Sequence, residues 1–179
     1  MTSDKTSTHE STPNGPTART LGIDRPIDGE LFAWPEVALD PVSKMRAIAE
    51  ALPYGAVRET VFDAPFDRVW DFISDLEHST VQFERAIRRV EILEQSGESL
   101  RIRSRMITGF SIEFDVVLRP GWCVMNSRFG QNGMAARSEG EGRTRFIHFE
   151  GSPLLGKLLR PYFHWNIESD FKKLKALFA

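Results

Sequence analysis

The chain has 179 residues, 41% of them apolar and 27% charged, with a formal net charge of -2. That length favours one domain with appendages over two full domains, and it can hold a core without staples. The charge argues against bulk attraction to nucleic acid or anionic membrane. The single cysteine, Cys123, excludes an intramolecular disulfide, and no apolar run approaches the roughly 20 residues that span a bilayer.

Residues 1–20, MTSDKTSTHESTPNGPTART, are almost entirely Ser, Thr, Pro, Gly, Asn and charge. Such a segment cannot bury enough apolar surface to offset its ordering entropy, so a disordered tail is expected. It lacks the basic and apolar regions of a secretory signal, and together with the lone cysteine this points to a soluble protein of the reducing cytoplasm.

Residues 21–55 read as an apolar arm carrying a short helix. Leu31, Phe32, Trp34 and Val37 crowd the stretch LFAWPEV. Asp40 then suits an N-cap with Pro41 at the first helical position, and Pro53 and Gly55 close the segment. Val42, Met45, Ile48, Ala49 and Leu52 share one side of that helix at spacings of three and four. Three roles stay open for the arm: packing on the domain, covering a pocket as a lid, or docking on a second subunit of a homodimer.

The main domain, residues 56–179, opens with the β-branched alternation of AVRETVF, a strand. Asp63 is placed to cap the next helix and Pro65 to occupy its first turn, with Phe66, Val69, Trp70 and Ile73 as its apolar stripe. Leu76 and Phe83 continue that surface through a less regular segment.

From Ile87 the period switches to two. Val90 and Ile92 alternate with Arg89 and Glu91; Leu100, Ile102, Ser104 and Met106 alternate with Arg101, Arg103 and Arg105; Ile112, Phe114, Val116 and Leu118 alternate with Glu113 and Asp115. A loop at Thr108, Gly109 and Phe110 would oppose Met106 to Ile112, Ser104 to Phe114, Arg105 to Glu113 and Arg103 to Asp115. Apolar then meets apolar and opposite charges meet. RIRSR is therefore a solvated face neutralised across strands, and no nucleic-acid partner is expected.

Turn signals recur at Pro120-Gly121, Gln131-Asn132-Gly133 and Gly140-Glu141-Gly142, with the strand-like runs WCVMNSRF, MAARSE and TRFIHFE around them. Gly140 and Gly142 lack the GxGxxG pattern of a phosphate loop. Two registers are open for WCVMNSRF. A tight loop sends Cys123, Met125, Ser127 and Phe129 inward, which the apolar count favours; a four-residue loop sends Val124, Asn126 and Arg128 inward. At the C-terminus, Phe163, Ile167, Phe171, Leu174 and Phe178 form one helical stripe, with Glu168 and Lys172 as an exposed i,i+4 pair. Pro161 is expected to break or kink this helix, leaving a piece at about 153–160 ahead of the long one.

The entry APFDRVWDFISDLE, the strand GRTRFIHFE and the closing helix SDFKKLKALF together resemble the START/Bet v 1-like (SRPBCC) superfamily, which includes polyketide cyclases, dehydrases and lipid-transport proteins. Ala64, Pro65, Val69, Trp70 and Asp75 carry the most specific part of the match. The resemblance implies an α+β helix-grip fold, a curved antiparallel sheet wrapped around the long C-terminal helix. It also implies an internal cavity where the residues alone would read as a filled core. From the sheet that cavity would take Ile102, Ser104, Met106, Phe114, Val116, Phe146 and His148. From the helical segments it would take Trp70, Phe83, Phe163 and Ile167.

Within TRFIHFE, Thr144, Phe146, His148 and Glu150 share one strand face. An imidazole beside a carboxylate could serve as general base in an aldol cyclisation or dehydration, with Arg128 as a further candidate in the second register. The bland alternative is a histidine held by one hydrogen bond to Glu150. A metal set of His148, Glu150 and His164 can be drawn, but no HExxH or paired-cysteine spacing supports it, so neither a metal nor a cofactor is expected. No GxSxG elbow accompanies a serine nucleophile, and Cys123 reads as a small buried hydrophobe. Three functions follow: a carrier or binder of a small hydrophobic ligand; a polyketide-type cyclase or dehydratase in the same cavity; and an interaction module using the arm.

Overall fold

A computed structural model describes residues 38–179; the tail at 1–20 and the apolar part of the arm with Leu31, Phe32, Trp34 and Val37 lie outside the described residues. The element order is α1 Pro41–Ala51, β1 Gly55–Phe62, α2 Phe66–Ser74, α3 Thr80–Phe83, β2 Ile87–Ser96, β3 Ser99–Met106, β4 Ser111–Arg119, β5 Trp122–Asn126, β6 Gln131–Ser138, β7 Thr144–Gly151 and α4 Gly156–Leu177. The strands form one antiparallel seven-stranded sheet in the order β1-β7-β6-β5-β4-β3-β2. The sheet is curved and open, and the architecture is a helix grip: the 22-residue α4 lies on the inner face against β1 and β7.

Local chemistry accounts for the elements. Asp40 caps α1, its Oδ1 accepting from the amides of Val42 and Ser43 at 3.0 and 3.1 Å, with Pro41 at the first helical position. Val42, Met45 and Ala49 are buried, while Ile48 on the expected apolar side is exposed. Helix α1 covers the outer face of the sheet, where Val42 and Met45 pack on Ala135 and Ile147. In α2 the capping position belongs to Pro65, whose ring carries no hydrogen-bond acceptor, so Asp63 does not cap the helix as expected; the Val69 amide bonds the Pro65 carbonyl at 3.1 Å.

The β3–β4 hairpin departs from the expected register. Ile102 opposes Phe114, Ser104 opposes Ile112, and Arg103 and Arg101 face Glu113 and Asp115 at 2.7 and 3.6 Å. The cause is Gly109 at φ +87, which takes the left-handed last position of the loop rather than its middle. The Met106 amide then donates to the Phe110 carbonyl at 2.7 Å, closing a loop of Ile107, Thr108 and Gly109. The pairing shifts by two residues, and since side chains alternate with period two, every residue keeps its face. At β4–β5, Arg119 pairs Trp122 across Pro120-Gly121, so the tight-loop register holds and Cys123 is buried.

Helix α4 also departs from expectation, running unbroken through Pro161. A proline early in a helix removes one hydrogen bond, here to the exposed Lys157 carbonyl, which solvent can satisfy. Downstream, Ile167, Phe171, Leu174 and the C-cap Phe178 are buried and hold the helix to the sheet. Phe146 anchors this core, its ring 5.7 Å from both Phe62 and Phe171. Glu168 pairs with Arg58 of β1 rather than with Lys172.

Candidate functional site

Between the β2–β5 side of the sheet, α3 and the start of α4 lies a cavity of about 340 Å³. Its walls are mainly apolar. From the expected set, Phe83, Ile102, Ser104, Met106, Phe114 and Phe163 line it. Trp70, Val116, Phe146 and Ile167 belong instead to the filled core, Phe146 and Ile167 because α4 packs on the β1–β7 side of the sheet. Met125 and Phe129 reach the cavity from the β5 segment through the tight-loop register. Asn126 and Arg128 point out to solvent, so Arg128 is not a partner of His148; its guanidinium sits 5.8 Å from the Phe129 ring centroid. The mouth carries the exposed side chains of Phe110, Phe129, Leu154 and Leu155.

One end of the cavity is polar, and three parts of the chain build it. Strand β7 supplies Glu150, and His148 two residues earlier on the same face; Glu84 follows α3; Tyr162, Asn166 and Asp170 rise from successive turns of α4. Glu84, Glu150, Tyr162 and Asn166 line the cavity, while His148 and Asp170 are buried beside them. The Asn166 amide nitrogen faces Glu150 Oε1 and Oε2 at 3.0 and 3.2 Å, Glu84 Oε2 at 3.2 Å and Asp170 Oδ2 at 3.4 Å. Two hydrogens thus serve four carboxylate oxygens. His148 Nε2 lies 3.8 Å from Glu150 Oε1, beyond hydrogen-bond reach, so the simple hydrogen-bonded pair is not formed. His148 Nδ1, Asn166 Oδ1 and Asp170 Oδ1 are buried without a partner.

The electrostatics follow from that crowding. Burial, then the charges of Glu84 and Asp170, push the Glu150 carboxyl well above its ordinary range. Burial and Glu84 push Asp170 up to about 9, against the opposing pull of Lys173. Burial lowers His148, leaving its imidazole neutral, so the 3.8 Å approach to Glu150 is not an ion pair. Burial also raises Tyr162, with Glu150 adding to it. Cys123 is buried elsewhere and its thiol is pushed up to about 12, which removes it as a nucleophile.

No family model matches the sequence, and no curated protein matches it. Solved structures do match. The Zhui aromatase/cyclase from Streptomyces sp. R1128 superposes with a TM-score of 0.56 at 15% identity, over 69% of this chain and 92% of that one. A START superfamily protein from Mycobacterium smegmatis gives 0.53 at 16% identity, over 69% and 96%. The di-domain ARO/CYC StfQ from the steffimycin pathway gives 0.53 at 12% identity, over 76% of this chain and 54% of that one. The chain shares the helix-grip fold of these structures.

Sequence places His148 and Glu150 on one strand face, whereas Glu84, Asn166 and Asp170 join them only in the folded chain. A signal for two of them was present. Asn166 and Asp170 are four residues apart on the same side of α4 as Phe163, Ile167, Phe171 and Leu174, where a polar side chain must be buried. Glu84 had none, since it follows a four-residue helix in an irregular segment. His164, drawn earlier into a metal set, is exposed.

Proposed function

We propose that the protein binds a small, largely apolar molecule carrying one polar group, held between the β2–β5 walls and the start of α4. The supporting observation is the cavity itself: about 340 Å³, apolar along its length and polar at one end. That volume falls in the range of about 300–1,000 Å³ typical of small-molecule sites, where a few polar groups fix orientation. Lipid, polyketide and aromatic metabolites all have this character, and the exposed aromatic and leucine side chains at the mouth suit the entry of such a ligand.

The test is native mass spectrometry of the purified protein beside an organic extract of the same sample, followed by titration with a fluorescent apolar probe. A stoichiometric co-purifying molecule, or probe binding that Phe114→Ala alters while the exposed Arg128→Ala does not, supports the reading. A bare mass with no probe binding refutes it.

A second reading, a polyketide-type cyclase or dehydratase, is supported by the opening of the Glu150 carboxyl onto the cavity with an imidazole 3.8 Å away. Of the two candidates beside His148, Glu150 then serves as its acid–base partner. It requires turnover of a poly-ketone substrate that Glu150→Gln abolishes while binding persists; binding without turnover leaves the protein a carrier.

A further inference from the structure

The polar end of the cavity has more acid than its surroundings neutralise. Ligand atoms of Glu84, His148, Glu150 and Asp170 all lie within 4.8 Å of one another. Among the described residues no lysine or arginine forms a salt bridge with any of the three carboxylates: Lys173 and Arg85 act on Asp170 only at longer range, and the Lys173 ammonium donates to the Phe83 carbonyl at 2.9 Å. Bringing carboxylates together out of water is costly unless a cation or protons join them.

A second observation is independent of the acids. His148 is 1% exposed, and its ring makes no hydrogen bond: Nδ1 has no partner and Nε2 is directed at Glu150 from 3.8 Å. A buried imidazole without a partner loses its hydration and gains nothing in return. The amide oxygen of Asn166 is orphaned as well, while its nitrogen stands among the carboxylate oxygens where a cation would stand.

We infer that Glu84, His148, Glu150 and Asp170 form a binding site for one divalent first-row transition ion, opening on the cavity through Glu84 and Glu150. Donors at about 2.0–2.2 Å from one ion lie roughly 3–4.2 Å apart. Atoms spread over as much as 4.8 Å therefore need to close by about 0.6–1.8 Å, within reach of side-chain rotation. Rotation of the Asn166 amide would turn its free oxygen to the ion and remove its N–H groups from the ligand oxygens. One imidazole with carboxylates suits Zn²⁺, Mn²⁺, Fe²⁺ or Co²⁺; the imidazole disfavours Mg²⁺ and Ca²⁺, which seek all-oxygen shells. The site binds the ion whether or not the apolar part of the cavity holds a molecule.

The experiment uses the full chain, stripped with chelator and free of organic ligand, titrated with Zn²⁺ by calorimetry and with Co²⁺ by visible absorption. One ion per chain is expected. At Zn²⁺ a hundred-fold above its Kd, the folded-to-unfolded ratio rises about a hundred-fold. His148→Ala and Asp170→Asn should each weaken Zn²⁺ binding by more than about tenfold, while His78→Ala and His164→Ala, both exposed, should not.

Should a cluster variant fail to fold, nitrogen-15 spectra of the wild-type histidines decide: the His148 ring nitrogens must shift on Zn²⁺ addition. The proposal is overturned by no binding, by binding that survives both cluster substitutions, or by Zn²⁺ shifts confined to His9, His78 and His164. Failure of the apolar-probe titration leaves this result untouched, and the reverse holds equally.

Discussion

Two truncations separate the filled half of the domain from the hollow half. Ile167 is 2% exposed and belongs to the core around Phe146 and Phe171, whereas Phe114 is 6% exposed and borders the cavity. Ile167→Ala removes three buried methyl or methylene groups at about 0.8 kcal/mol each, or about 2.4 kcal/mol before any void is counted. A void that cannot collapse adds about 24 cal/mol per Å³, bringing the loss to about 3–4 kcal/mol, within the roughly 2–5 kcal/mol usual for such a change. Phe114→Ala would cost about 3–5 kcal/mol in a filled core. Here one side of the ring already faces about 340 Å³ of space, so fewer contacts are lost and the cost falls below that range. Urea unfolding followed by the fluorescence of the four tryptophans reads both losses. For a domain of this size, 3 kcal/mol also corresponds to a Tm lower by roughly 6–12 °C. If Phe114→Ala costs as much as a filled-core truncation and leaves apolar-probe affinity unchanged, the hollow is an error. If Ile167→Ala costs under about 1 kcal/mol, the assignment of the α4 stripe to the core fails.

Other expectations follow from the same structure. Glu59 accepts from Arg145 and Arg46, each within 2.8 Å, and although burial pushes its carboxyl up, these bonds outweigh it and hold it below the ordinary 4.5. A depressed folded value means stabilisation that is complete above the unfolded value near 4.5 and lost as pH falls through the folded one. Urea midpoints at pH 7 and pH 3 should therefore lie closer together in Glu59→Gln than in the wild type, and an unchanged gap would show that the network adds nothing. Asp40→Ala should cost about 1 kcal/mol through the lost cap of α1, with Asp40→Asn nearly silent; equal losses in chemical denaturation would point to the Arg137 contact at 3.4 Å rather than to the cap. Cys123, buried and with its thiol pushed up to about 12, should resist a thiol reagent in native buffer and react once denaturant unfolds the sheet; fast native labelling would contradict its burial.

Much of the fold was legible because parity is a robust signal. The alternation of Leu100, Ile102 and Ser104 with Arg101 and Arg103 assigns faces even when the pairing is misplaced. The error at Gly109 was a slip of two residues, which changes neighbours and spares faces. The loop register itself depends on which residue takes the left-handed conformation, and one glycine among Thr108, Gly109 and Phe110 does not say whether it sits in the middle or at the end. The covered outer face was less visible. Ile147 and Phe149 are buried opposite His148 and Phe146, making FIHF buried on both faces, and such a strand loses its alternation. Its cover, α1, was recognised as a helix, but no periodicity tells a helix which sheet to lie on.

The division between core and cavity could not be read from residue type, since Phe114 and Phe146 are the same residue on inward faces of the same sheet. What separates them is α4, which packs on β1 and β7 beside Phe146 and leaves a cavity next to Phe114 on β4. The polar cluster stands at the boundary of these two regimes. Asn166 and Asp170 interrupt the stripe of Phe163, Ile167, Phe171 and Leu174 where the helix passes from hollow to core. Helical propensity and packing would both be better served by leucine there, and a buried acid that raises its own pKa to about 9 opposes folding at neutral pH. A chain that needed only a lined cavity would have no physical reason to bring Glu84, Glu150 and Asp170 together around an unpartnered imidazole. The destabilisation is localised at the one end of the cavity where a ligand's polar group, a proton or a metal ion can offset it, which is where strain in a fold is expected to coincide with function.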